Sequence, residues 1–154
     1  MTTNALRLVK ALGLSVKTVE YAVDENDLSA QAVAAKLGMD IDRIFKTLVI
    51  VGDKSGAFMC VIPGSAELDL KKAAKASGNK AVSLLPLKEL ESLTGYVRGG
   101  CSPVGSKKRL LVYLDETAQL WDWISVSAGA RGLQMLLVPS DLIKASGASY
   151  ADLI

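Results

Sequence analysis

Residues 95–109 read GYVRGGCSPVGSKKR and hold four of the chain's thirteen glycines, one of its four prolines and one of its two cysteines. A Gly-Gly pair is entropically expensive inside a helix or strand, and Pro103 has no N–H to give to a ladder, so this run is predicted to be a shaped loop. Glycines let a ligand approach the main chain. Amides left unpaired there, at Gly99 and Gly100, can hold an oxyanion or a carbonyl oxygen. Ser102 adds a hydroxyl, and Lys107, Lys108 and Arg109 offer charge for a phosphate. The plainer reading is a turn between two strands followed by a solvated cationic strand start.

A second chemical candidate lies upstream. FKTLVIV (45–51) alternates as a strand, with Lys46, Leu48 and Ile50 on one face and Thr47, Val49 and Val51 on the other. Lys46 therefore opens an otherwise aliphatic face. It either snorkels its ammonium to water or is held in a site, where apolar walls would lower its pKa and let it position or protonate a substrate oxygen. Tyr21, near the end of KTVEYAV (17–23), is a half-buried strand tyrosine or a phenol reaching a pocket.

Composition narrows the chemistry. The 154 residues include no histidine, which removes Ser-His and Cys-His catalysis and histidine-based metal sites. Cys60 and Cys101 have no metal-ligand spacing; they either pair with each other or, on the simpler reading, are free thiols of a cytosolic protein. No metal or cofactor is expected. Neither an apolar run of membrane-spanning length nor a secretory leader is apparent, so the expected location is cytoplasmic. Charge is uneven. Residues 1–70 carry seven Lys+Arg against nine Asp+Glu, residues 71–109 nine against two, and residues 110–154 two against five. A basic middle block of this kind attracts a polyanion such as RNA if its cations share a face, and otherwise serves solubility.

These candidates must be carried by a mixed scaffold. Helices are predicted after Thr3 or Asn4, after Ser29 (AQAVAAKL, closed by Gly38), after Asp69 (LKKAAKAS, closed by Gly78), from Pro86 to Gly95, and from Pro139 to Gly147. Strands are predicted at 17–23, 45–51, 57–62, 81–84, 110–114, 123–127 and 133–138, with a glycine turn at 128–132 and an apolar tail at 148–154. Lys71, Lys72 and Lys75 fall on one helix face. The class is α/β in the α+β sense: a mixed, largely antiparallel, barrel-like sheet surrounded by helices, in one domain over 1–154.

Four stretches together resemble the YbaK family, free-standing relatives of the editing domain inserted in prolyl-tRNA synthetase. They are FKTLVI (45–50), LDLKKAAKASGNKAV (68–82), TGYVRGG-SP-G-KKRL (94–110) and SVSAGARGLQ (125–134). The resemblance covers nearly the whole chain. It implies a cytoplasmic aminoacyl-tRNA deacylase acting in trans beside prolyl-tRNA synthetase, without metal, with Cys-tRNA(Pro) as the leading substrate and Cys-tRNA(Cys) as a further one. By the same resemblance Lys46 is the essential residue. Tyr21, Thr47, Gly99, Gly100, Ser102, Ser127, Gly129 and Gln134 are expected around the substrate. Lys71, Lys72, Lys75, Lys107, Lys108, Arg109 and Arg131 are expected against tRNA phosphates.

The implied chemistry suits a chain without histidine. The substrate's own thiol attacks the ester carbonyl, and the protein holds the ester and stabilises developing charge. Three positions depart from the family: Ser29 stands where it has a phenylalanine, Gln134 where it has an aspartate, and Ala128 where it has a glycine; by the resemblance the first two line the amino-acid pocket and bear on specificity. A less apolar, uncharged pocket suits another small amino acid such as alanine or serine, removed by water. The rival to both is a non-catalytic module that binds an aminoacyl-tRNA end or a synthetase.

Overall fold

The computed structural model describes residues 2–154. Side-chain caps set the helix starts. The Thr3 hydroxyl accepts the Leu6 amide at 3.2 Å to open α1 (Asn4–Ala11), and Ser29 accepts the Ala32 amide at 3.2 Å to open α2 (Ala30–Leu37). The Asp69 carboxylate accepts the Lys71 and Lys72 amides at 2.9 and 3.1 Å to open α3 (Leu70–Ser77). Pro139 occupies the first turn of α5 (Pro139–Ser146). The segment after Pro86 is a 3-10 turn, Leu87–Glu89, running into a short α4 (Leu90–Thr94).

The strands form two sheets. One is antiparallel, in the order β1 (Lys17–Glu20), β7 (Leu133–Leu137), β6 (Ile124–Ala130). The other is mixed, in the order β4 (Val82–Leu84), β2 (Phe45–Gly52), β3 (Gly56–Pro63), β5 (Val112–Asp115), β8 (Ser149–Ala151). Here β3–β5 and β5–β8 pair in parallel. The α+β class holds, with helices around largely antiparallel strands. The sheets do not close into a barrel; among the described residues a single parallel bridge, Ile44 to Ser125, links them.

Alternation along the hairpin β2–β3 explains the layers. Phe45, Val49, Met59 and Val61 face Ile124, Val126, Met135 and Leu137 of the small sheet in the main core. Ile50, Phe58, Cys60 and Ile62 point the other way, onto Ala73 of α3 and onto Leu153. A third cluster, Val33, Ala34 and Ile44, lies under α2.

Two expectations change. The stretch 128–130 is not turn but strand, because β6 runs on past Ser127 through an irregularity in its pairing with β7. The apolar tail gains a structure that was not expected: it supplies β8, and Leu153 is fully buried with its N–H donating to Asp115 Oδ1 at 2.9 Å. No helix among the described residues is long and apolar enough to cross a membrane.

Candidate functional site

Among the described residues, no strand pairs with one side of the first half of β2. Its pairing with β4 covers only Ile50–Gly52, extended by the Leu85 amide donating to the Val49 carbonyl at 3.0 Å. Beyond that point the strand edge opens into a cleft of about 520 Å³. Phe45 to Val49 line it, facing Ser29 and its neighbours at the start of α2, a wall of Leu84, Leu85, Leu87 and Leu90, and the glycine loop at Arg98, Gly99 and Cys101. Ser127 and Gln134 reach it from the small sheet.

Lys46, second residue of β2, is half-buried at the start of the aliphatic face it shares with Leu48 and Ile50. Its Nζ donates to the Gly64 carbonyl at 3.3 Å. Burial lowers its pKa below the ordinary lysine value, and the charge of Glu67 partly opposes that shift. No carboxylate lines the cleft, and no ion pair among the described residues engages Lys46. The ammonium is thus held by one carbonyl and keeps donor capacity for a ligand oxygen.

Beside it, Thr47 Oγ1 is buried without a hydrogen-bond partner among the described residues. A buried hydroxyl left in this state costs roughly 1–3 kcal/mol, and a ligand in the cleft can remove that cost. Gln134 is 5% exposed, and its Oε1 accepts from the Ser125 hydroxyl at 2.9 Å. Its amide nitrogen has no partner among the described residues. The Ser127 hydroxyl oxygen accepts the Gly129 amide at 3.2 Å.

Tyr96 is the centre of the glycine loop. Its phenol is buried, donates to the Val104 carbonyl at 2.6 Å, and is pushed up to about 12, mainly by burial. Gly99 and Gly100 serve different needs. Gly99 has φ +81, a left-handed conformation that a β-carbon disfavours. Gly100 lies against the β6–β7 turn, where a β-carbon would come within 2.9 Å of the Arg131 nitrogen. Of the glycine pair, Gly99 keeps a free amide among the described residues, whereas the Gly100 amide donates to the Val97 carbonyl at 2.9 Å. Cys101 lines the cleft as a buried thiol pushed up to about 12, so it carries no thiolate near neutrality.

The cleft therefore gathers Lys46, Thr47, Gly99, Ser127 and Gln134, and leaves out other expected residues. Tyr21 packs beside the cluster under α2. Ser102 is fully buried, with its oxygen accepting the Val104 amide at 3.2 Å, so it shapes the loop from inside. Gly129 packs on Tyr96 and Thr3. Ser29 lines the cleft, but its hydroxyl is committed to capping α2 and to the Asp27 carboxylate, 2.6 Å away.

None of Lys71, Lys72, Lys75, Lys107, Lys108, Arg109 and Arg131 lines the cleft. Lys72 is bound to Asp152 at 3.1 Å and to the Ile154 carbonyl, which removes it from the free cations. Arg131 Nε donates to the Arg98 carbonyl at 2.8 Å and fastens the loop. Lys108 and Arg109 line a separate hollow near the turn of the β2–β3 hairpin. Lys46 sits six residues along β2 from that turn, roughly 20 Å away.

Gly64, Tyr96, Arg98 and the leucine wall were not among the expected site residues; the lone tyrosine inside a glycine run was the visible signal. No group of three or more His, Cys, Asp or Glu among the described residues could hold a metal.

Residues 24–145 match the aminoacyl-tRNA editing domain family. An Enterococcus faecalis protein provisionally named Cys-tRNA(Pro)/Cys-tRNA(Cys) deacylase EbsC is 52% identical over 151 residues, 98% of this chain and 92% of its own length. A solved structure described as a candidate trans-editing enzyme for prolyl-tRNA synthetase superposes with a TM-score of 0.81 at 30% identity, covering 99% of this chain and 98% of that one. The proline–tRNA ligase of Burkholderia orbicola is 27% identical over 125 residues, 78% of this chain but 22% of that enzyme. The chain belongs to the aminoacyl-tRNA editing domain family.

Proposed function

We propose that this protein is a trans-editing aminoacyl-tRNA deacylase that removes cysteine from tRNA for proline and also accepts Cys-tRNA(Cys). It would act in the cytoplasm in transient association with prolyl-tRNA synthetase. The observation that carries this reading is the Lys46 ammonium, in no ion pair among the described residues, in a cleft that also presents the free Gly99 amide. A cationic donor and a main-chain donor in one partly desolvated cleft are the parts needed to hold an ester and the negative charge developing on it.

The chain supplies no nucleophile of its own, since histidine is absent and Cys101 is protonated. The substrate's cysteine thiolate attacks the ester carbonyl carbon, the carbon–oxygen bond to the terminal ribose breaks, and the ribose oxygen takes up a proton. The products are a free tRNA end and a cyclic thiolactone. Lys46 orients the ester or its leaving ribose oxygen, and the Gly99 amide holds the carbonyl. Thr47 and Gln134 meet the aminoacyl group. Lys71, Lys75, Lys107, Lys108 and Arg109 remain the cations expected against the tRNA body.

The uncharged amide of Gln134 favours a second reading, removal of another small amino acid by water. Ser29 does not add to it, because its hydroxyl is committed within α2. Release of labelled amino acid from Cys-, Ala- and Ser-tRNA decides between them. Lys46→Ala is expected to slow Cys-tRNA(Pro) deacylation by about 10²–10³-fold, the usual cost of losing one oxyanion donor. Equal rates for both proteins would take Lys46 out of the mechanism. Unchanged turnover of Ser-tRNA would replace the thiol route by water, and binding without turnover across the panel would leave a non-catalytic module.

A further inference from the structure

The cleft has a second cation. Arg98 lines it from the glycine loop, is exposed, and makes no ion pair among the described residues. Its main chain is pinned from two sides. The Val97 carbonyl next to it accepts the Gly100 amide at 2.9 Å, and its own carbonyl accepts Arg131 Nε at 2.8 Å. The guanidinium therefore projects from a fixed base at the rim of a cleft lined by no carboxylate. Across the same cleft, Leu84 and Leu87 are 60% and 58% exposed, uncovered by any element among the described residues. A cation and an apolar shelf at the mouth of one cleft match the two halves of a nucleotide, its phosphate and its base.

Resting on the deacylase reading, we propose that Arg98 binds the phosphate immediately 5′ of the terminal nucleoside while Leu84 and Leu87 carry that nucleoside's base. The cleft then holds the last nucleotide at two points, and the aminoacyl ester between them is delivered to Lys46. This makes the cleft itself a reader of an RNA 3′ end, independent of the lysines outside it. A planar guanidinium suits this task because it can engage two phosphate oxygens at once.

Probes that carry no amino acid test the site without turnover: an RNA microhelix ending in CCA, the dinucleoside phosphate CpA, and adenosine. Arg98→Gln is expected to weaken CpA and microhelix binding by roughly tenfold and to reduce the log–log salt slope by about 0.7, the loss of one single-strand phosphate contact. Adenosine, which has no phosphate, should bind the variant as it binds the wild type. The double variant Leu84→Ser with Leu87→Ser should weaken adenosine and CpA alike. Arg98→Gln acting equally on CpA and adenosine, or on neither, overturns the phosphate assignment. Unchanged adenosine binding by the leucine variant overturns the base assignment. The two readings separate cleanly: CpA binding with no deacylation by the wild type would end the enzymatic reading and leave the nucleotide site, and the reverse result would do the opposite.

Discussion

Lys46 carries its charge against the preference of its surroundings. Burial lowers its pKa below the 10.5 of an ordinary lysine, so the folded chain holds the proton less tightly than the unfolded chain does. Across the interval between the lowered value and 10.5, the unfolded state binds more protons. Stability linked to this residue is therefore fully present above 10.5 and is lost as pH falls through the folded-state value. Two outcomes follow. In a 13C-dimethyl-lysine NMR titration one resonance should titrate below the others and be missing in Lys46→Met. That variant should also unfold at a higher temperature at pH 7 while losing deacylation. A Lys46 resonance titrating with the bulk lysines would refute this account of the site.

The perch of that ammonium is built by packing at Gly64. This residue supplies the carbonyl that Lys46 holds, and its amide donates to the Ile44 carbonyl at 2.6 Å. A β-carbon there would fall 2.6 Å from the Ala30 β-carbon and 2.9 Å from the Ile44 oxygen, so α2, the entry to β2 and the Lys46 contact would have to shift together. Gly64→Ala should cost about 1–3 kcal/mol in thermal unfolding and depress deacylation with it. Gly38→Ala is the control. Gly38 ends α2 at φ +63 with nothing within 4 Å of a new β-carbon, so backbone strain should lower stability by roughly 1–2 kcal/mol and leave deacylation unchanged. Equal activity losses in the two variants would show that Gly64 acts only through stability.

The same contrast explains what the sequence disclosed. The caps at Ser29 and Asp69 and the alternation of 45–51 are local, and they gave α2, α3 and β2 almost residue for residue. The parallel pairings β3–β5 and β5–β8 depend on distant partners, and so does the crowding around Gly64; no local pattern encodes them. In the cleft, Lys46, Thr47 and Gly99 were legible from strand parity and the glycine pair together with the family resemblance. Ser102 and Gly100 shared the loop's signature but were drawn inward by partners that the spacing does not reveal.

The cleft also depends on how the two sheets meet, since Lys46 belongs to one and Gln134 to the other. Beside the Ile44–Ser125 bridge, the Arg43 guanidinium lies 4.5 Å from the Trp121 ring centre and 4.0 Å from that of Trp123, with Nη1 3.2 Å from Asp122 Oδ1. Arg43 ends the 3-10 turn Ile41–Arg43 that feeds β2, whereas both tryptophans precede or join the start of β6, so this stack clamps the seam three residues before Lys46. Two cation–π contacts contribute roughly 1–3 kcal/mol together, and the ion pair adds little because Asp122 is largely exposed. Arg43→Ala should therefore lower stability by about 2 kcal/mol. Arg43→Lys should recover little of it, because an ammonium keeps the charge toward Asp122 but cannot stack as a plane between two rings. The chain's two tryptophans are the two in this clamp, so intrinsic emission reports directly on it. Both variants should change the emission spectrum. At temperatures where they remain folded, both should also lose deacylation as the two walls of the cleft lose their register. Altered emission with full deacylation would mean that the seam and the cleft are mechanically independent, and Lys46 would then owe its position to Gly64 alone.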